Sequence, residues 1–318
     1  VIELVALDLG GTHARFALAT IAPDGTISLA EPVTLQTSDY DTPELAWAEF
    51  ARRLGRPAPR AAAIGIAGPV IDGLAPMTNS PWVLDVGAFR ESLGLEAVTA
   101  LNDFGAVAHA AARLGEDQLA HLTGPDRPLP DQGTISVIGP GTGMGVAHFH
   151  RYPGGYRVQS TEGGHIGFAP QDDFDDRVLA LLRARHGRVV TERVNAGPGI
   201  AVIYEVLGGT EWADDLTVWK RGLAREDELA SRAVDRFCAS LGAVAGDYAL
   251  AHGAGALVLA GGIGLRLRER LPQSEFAARF CAKPRYERMM AGIPVKLIVH
   301  PQPGLYGAVA AFEKEHSR

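Results

Sequence analysis

The chain has 318 residues with 30 Lys and Arg against 37 Asp and Glu, a formal net charge of −7, and it carries no basic block to meet a nucleic-acid backbone. Cys238 and Cys281 are its only cysteines, which excludes a disulfide framework and a four-thiolate zinc site. The opening VIELVALDLGG has no basic leader, and no run of ~18 uninterrupted apolar residues occurs, so the expectation is a cytoplasmic protein of two domains with no membrane partner.

Residues 1–9 are short, apolar and rich in branched side chains, and they run into Gly10, Gly11 and Thr12: a buried strand ending in a glycine loop. Segments 14–21 and 26–33 flank Pro23, Asp24 and Gly25 and predict a hairpin. Thr42 and Pro43 supply a cap and a first-turn proline for a helix over 44–54, residues 60–67 read as a strand, and 98–102 as a short strand running into Asp103 and a helix to about 115. The Pro-, Asp- and Gly-rich stretch 118–132 reads as a connector. A strand over 133–138, a second glycine loop at 139–145 and a hairpin over 146–152 and 156–160 then repeat the opening order, which predicts two similarly built α/β halves. Helices are expected over 174–186 and 226–251, strands over 256–260 and 294–300, and a final helix over 304–315.

Three glycine loops thus follow buried strands, at 8–12, 139–145 and 261–264. Backbone amides left open by such loops suit anions, and missing side chains let a phosphate approach closely. A Walker-type loop is excluded, because Lys220, Lys283, Lys296 and Lys314 are the only lysines and none follows a glycine. The spacing of Gly139, Gly141, Gly143 and Gly145 also departs from the dinucleotide pattern.

The segments DLGGTHAR at 8–15, LNDFGAVAHA at 101–110, GPGTGMGVAH at 139–148, TEGGHIGFAP at 161–170, TERVNAGPG at 191–199, AGGIG at 260–264 and PGLYGA at 303–308 together resemble the bacterial glucokinases, the group lacking the zinc-binding cysteine motif of repressor-type sugar kinases. They run in family order over nearly the whole chain. The resemblance implies an α/β fold of the actin, hexokinase and heat-shock ATPase class, ribonuclease H-like, with an interdomain cleft. The implied small domain spans 1–112 and is completed by the C-terminal helix at 304–318; the large domain spans 113–303. It further implies transfer of a phosphoryl group from ATP, with Mg²⁺, to the 6-hydroxyl of glucose, and a homodimer. The alternatives on this fold are a kinase for another hexose or amino sugar and a non-enzymatic sugar-responsive regulator.

Phosphoryl transfer needs in-line positioning, charge neutralisation and a base for the hydroxyl proton. Asp103, at a strand end and helix start, is either that base or a helix cap on the residues alone, and the resemblance implies the base. Asn102 beside it carries a donor and an acceptor suited to a sugar hydroxyl. By resemblance, Glu162, His165, Glu192 and Asn79 contact the sugar; otherwise His165 is a structural histidine and Glu192 a solvated partner of Arg193. Asp8 either caps a turn or holds Mg²⁺ through water. Gly10, Gly11, Thr12, Gly141, Thr142 and Gly143 are implied to line the phosphates, and Gly261 and Gly262 to border the adenosine. Two positions depart from the family pattern: His13 stands where Asn is more frequent, and Gly167 where Asp is more frequent.

Overall fold

The computed structural model describes residues 1–77, 80–210 and 212–316, and the chain divides into two units. Unit 1 comprises Val1–Leu114 and the residues from His300 on, and unit 2 comprises Gly115–Val299.

Unit 1 holds strands β1 (Ile2–Leu9), β2 (His13–Ile21), β3 (Ile27–Leu29), β4 (Val33–Gln36), β5 (Ala61–Ile66), β6 (Leu74–Pro76), β7 (Val83–Asp85) and β8 (Ala97–Asn102). Helices α1 (Pro43–Leu54), α2 (Val86–Ser92) and α3 (Asp103–Arg113) lie between or after them, and the C-terminal helix Pro303–His316 completes the unit. The main sheet runs β3-β2-β1-β5-β8; β1 and β2 are antiparallel, whereas β1, β5 and β8 are parallel. Both faces of β1 are buried, which is why it reads as a continuous apolar run instead of an alternating one. Val5 and Leu7 pack with Trp47, Phe50 and Phe89, while Leu4 and Ala6 pack with Ala106, Leu305 and Phe312. The C-terminal helix lies so close on α3 that a Cβ at Gly307 would stand 1.7 Å from the Ala106 carbonyl oxygen. Arg113 pairs with Glu313 at 2.6 Å along the same contact.

Unit 2 holds β9 (Leu119–Thr123), β10 (Gly133–Pro140), β11 (Met144–Tyr152), β12 (Gly155–Thr161), β13 (Ala254–Leu259) and β14 (Val295–Ile298) in the order β12-β11-β10-β13-β14-β9. Its helices are α4 (Asp173–His186), α5 (Glu192–Asn195), α6 (Gly199–Val206), α7 (Asp215–Ala224), α8 (Glu228–Ala251), α9 (Gly261–Arg266), α10 (Phe276–Cys281) and α11 (Glu287–Ala291). The 24-residue α8 is the spine of the core, with Phe237, Leu241 and Tyr248 buried among Ile138, Leu257 and Leu259 of the sheet. In both units an antiparallel hairpin flanks the first strand and two parallel strands follow on its other side, the duplicated order that the sequence suggested.

Several boundaries differ from the sequence reading. The strand expected over 26–33 is two, β3 and β4, both paired with β2, because Pro32 lacks the N–H a continuous ladder needs. The connector at 118–132 contains β9, an edge strand antiparallel to β14 with Leu119 and Leu122 turned inward. Helix α8 starts at Glu228 because Asp227 caps it, accepting from the Ala230 amide. The strand expected over 294–300 shortens to Val295–Ile298, and Pro303 enters the final helix as its first residue.

Candidate active site

In unit 1 the parallel strands β1, β5 and β8 end on one edge of the sheet, where open α/β folds present ligand-binding groups. Asp8 stands in register with Gly65, and Gly65 with Leu101, two residues before Asp103. At ~4.8 Å per strand, the ends of β1 and β8 are about 10 Å apart.

Asn102, not Asp103, is the cap of α3. Its Oδ1 accepts from the amides of Phe104 and Gly105, each at 3.0 Å, and its Nδ2 donates to the Gly68 carbonyl at 3.2 Å. Asp103 is the first helical residue and is half-buried, with Oδ1 accepting from the Phe104 amide at 2.7 Å. The glycine turn after β1 is closed by the Gly10 amide donating to the His13 carbonyl at 2.9 Å, and braced by the Thr37 hydroxyl on the Gly10 carbonyl at 3.0 Å. His13 closes this turn through its backbone, a task that does not depend on its side chain. Gly11 and Thr12 form the tip, and Thr12 is exposed.

Asp8 carries a partner that sequence reasoning missed. Arg15 lies directly across the hairpin from it, and its Nη1 meets Asp8 Oδ2 at 3.1 Å. The pairing follows from counting back from a tight turn within DLGGTHAR, so the signal was there in the motif. Burial pushes the Asp8 carboxyl above its ordinary range, and Arg15 opposes that rise. Gly304, at the start of the C-terminal helix, keeps the helix end close: a Cβ there would lie 3.6 Å from Asp8 Oδ2. Among the described residues no group of three His, Cys, Asp or Glu side chains is placed to hold a metal. A lone carboxylate with phosphate oxygens and waters is nevertheless a donor set that Mg²⁺ accepts. Asn79 lies outside the described residues.

In unit 2 three of the recurring segments converge. Segment 162–165 lies flush on β11, where a Cβ at Gly163 would stand 2.8 Å from the Val146 side chain and one at Gly164 would stand 2.3 Å from the Met144 carbonyl oxygen. Glu162 and His165 flank these glycines and are exposed. Glu192, the first residue of α5, reaches the same strand from the other side: its Oε2 accepts from the Met144 amide at 2.8 Å. It also presses on Gly143, where a Cβ would stand 2.6 Å from that oxygen. The solvated-pair reading of Glu192 with Arg193 is therefore replaced by a contact with the second glycine loop. The two segments are joined directly by the Thr191 amide donating to the Ile166 carbonyl at 2.8 Å. At Gly167 a Cβ would meet nothing within 4 Å, so packing does not demand the glycine found there.

The second glycine loop closes on itself, with the Gly141 amide donating to the Gly143 carbonyl and the Gly197 amide to the Gly141 carbonyl, both at 2.8 Å. Thr142 is exposed at its tip. Gly261 follows β13 with φ +88°, and a Cβ there would stand 3.0 Å from the Pro140 carbonyl oxygen, so this turn requires glycine both by backbone angle and by space. Gly262 beside it is exposed and faces open space. Unit 2 thus gathers Glu162, His165, Glu192, Gly141, Thr142 and Gly143 around the start of β11, with Gly261 against the same loop. Acceptors and an imidazole suit a polyol, and loop amides suit an anion.

Comparison with known proteins agrees with that chemistry. The sequence model of the glucokinase family matches residues 4–315. The glucokinase of Zymomonas mobilis is 50% identical over 320 residues, covering 99% of each chain. A crystal structure of glucokinase from an Antarctic psychrotroph is 32% identical, superposes with a TM-score of 0.85 and covers 99% of both chains. A ROK family glucokinase from Streptomyces griseus, solved with glucose and AMPPNP, is 20% identical with a TM-score of 0.61 over 98% of this chain and 99% of its own; it shares the two-domain actin/hexokinase-like fold. A family model that matches residues 4–315 and identity of this extent over the full length make this chain a member of the glucokinase family.

Proposed function

We propose that Asp103 is the general base in ATP-dependent phosphorylation of glucose at its 6-hydroxyl. The observation that carries this reading is local: a carboxylate at the carboxyl end of β8, with the capping of α3 performed by Asn102 in its stead. In the step, Asp103 accepts the hydroxyl proton as the sugar oxygen bonds to the terminal phosphorus of ATP, the bridging oxygen–phosphorus bond breaks, and ADP departs. Glu162, His165 and Glu192 hold the sugar hydroxyls, with Asn79 and the remaining amide hydrogen of Asn102 as further contacts. Amides at Gly11, Thr12, Thr142 and Gly143 face the phosphates, Gly10 and Gly141 shape the loops that present them because their own amides close those turns, and Gly261 and Gly262 border the nucleoside. Asp8 would hold Mg²⁺ through water, and the ion would neutralise phosphate charge. The family resemblance also supports a cytoplasmic homodimer.

The test is Asp103→Asn and Asp103→Ala, assayed by ADP release against a panel of hexoses and amino sugars. General-base removal predicts a fall in kcat of about 10²–10⁴-fold, with the affinities for glucose and ATP kept within a few-fold. Either variant retaining more than about a tenth of wild-type kcat removes Asp103 as the base.

A further inference from the structure

Tyr248 belongs to α8, well away in sequence from every segment assigned to the sugar, and is 3% exposed. Its hydroxyl donates to the Gly163 carbonyl at 2.7 Å. The Thr191 side chain stands beside the same phenol and acts on it electrostatically. Gly163 adjoins Glu162, and Thr191 adjoins Glu192. A single buried phenol therefore holds the backbone beside one proposed sugar carboxylate and stands against the side chain beside the other. Burial pushes the phenol up to about 12, so it stays a proton donor throughout the neutral range.

The ring is itself held from behind. His252 stacks on it with centroids 5.9 Å apart and planes 27° apart, and the Ser136 hydroxyl on β10 fixes His252 through Nδ1 at 2.8 Å. The far side of the loop pair is set by Gly163 and Gly164 lying on β11 and by the bond from the Thr191 amide to the Ile166 carbonyl. The glycine contacts fix the height of segment 162–165 above the sheet, while the Thr191–Ile166 bond and the phenol together fix its separation from the segment at 191–192.

We propose that Tyr248 is a positioning residue for the sugar site, setting the spacing of Glu162 and His165 against Glu192 through its bond to Gly163 and its contact with Thr191. The inference rests on the assignment of those three side chains to glucose. It is tested with Tyr248→Phe, which keeps the ring and its stacking and removes only the oxygen, beside Thr191→Val, Glu192→Gln and wild type. Each lost hydrogen bond is expected to weaken binding a few-fold, so the KM for glucose in Tyr248→Phe should rise about fivefold or more. The KM for ATP should stay within twofold of wild type and the thermal midpoint nearly unchanged. Glucose KM within twofold of wild type overturns the inference, as does an equal rise of both KM values with a lowered midpoint, the signature of a purely structural post. Should Tyr248→Phe fail to fold, Thr191→Val decides: a raised glucose KM supports the inference and an unchanged one overturns it. If Glu192→Gln leaves glucose KM unchanged, the sugar-site assignment itself has failed, an outcome separate from the others.

Discussion

Gly143→Ala isolates the link between the second glycine loop and Glu192. The added Cβ would stand 2.6 Å from Glu192 Oε2 and 3.3 Å from its Cδ, where ordinary contact begins at 3.4 Å. The neighbour that must yield is the end of a flexible, partly exposed side chain and not backbone, and Gly143 is not among the positive-φ glycines, so the fold should accept alanine with less than about 1 kcal/mol of destabilisation. The strain falls on the carboxylate, which must swing away by about 0.8 Å or more and give up its bond from the Met144 amide. A hydrogen bond to a charged group contributes about 1.5–3 kcal/mol. Water reaching the partly exposed carboxylate offsets part of that, and a residual of about 1.5 kcal/mol corresponds to roughly a tenfold change in affinity. Steady-state kinetics with glucose varied at saturating ATP should therefore show a glucose KM about ten times higher, with the thermal midpoint within a few degrees of wild type. A glucose KM within twofold of wild type would refute the reasoning, because it would mean that the position of Glu192 does not matter to the sugar.

Gly307→Ala should act on stability alone. The new Cβ would stand 1.7 Å from the Ala106 carbonyl oxygen and 2.9 Å from the Ala110 amide, both backbone atoms of α3, so the two helices must separate. We expect a loss of about 3 kcal/mol or more in urea denaturation, and a loss below about 1 kcal/mol would contradict the helix contact described above. Arg15→Gln removes the cation that opposes the burial-driven rise of the Asp8 carboxyl. Asp8 then binds its proton at higher pH, so the acid limb of the kcat/KM profile should move upward in pH, together with a raised Mg²⁺ requirement on that limb. A profile superimposable on wild type would separate Asp8 ionisation from activity.

The duplicated α/β order was legible because buried parallel strands make continuous apolar runs that end abruptly in glycine, as at residues 2–9 and 133–140. Boundaries were lost where one residue outweighs the pattern. Pro32 divides β3 from β4, and the proline- and glycine-rich run after Thr123 hides the short edge strand before it. The short helices α5, α6, α9, α10 and α11 span eight residues or fewer, too few for a helical period to emerge from the sequence alone. The sequence offered Asp103 as the possible cap of α3, and residue type gave no means of moving that task to Asn102, since both favour the position. Backbone geometry decided it, giving Asn102 two amide donors and making Asp103 the first helical residue.

The candidate site shows the same division between what is local and what is not. Asp8 and Arg15 meet across a tight turn and could be paired by counting, whereas Tyr248 and Gly163 are 85 residues apart and share no pattern. The glycines lie between these extremes. Spacing alone suggested that the loop at 139–145 holds an anion with its amides, yet the Met144 amide is committed to Glu192 and the Gly141 amide to the Gly143 carbonyl. Any phosphate contact in this loop therefore falls to the tip, to Thr142 and Gly143. On the proposed assignment the glycine at 143 has two reasons to lack a side chain: close approach of a phosphate on one side and room for the Glu192 carboxylate, 2.6 Å from a Cβ placed there, on the other. With Glu192 on the sugar and the loop tip on the phosphates, as proposed, one backbone turn ties the fit of the sugar to the placement of the nucleotide's phosphates.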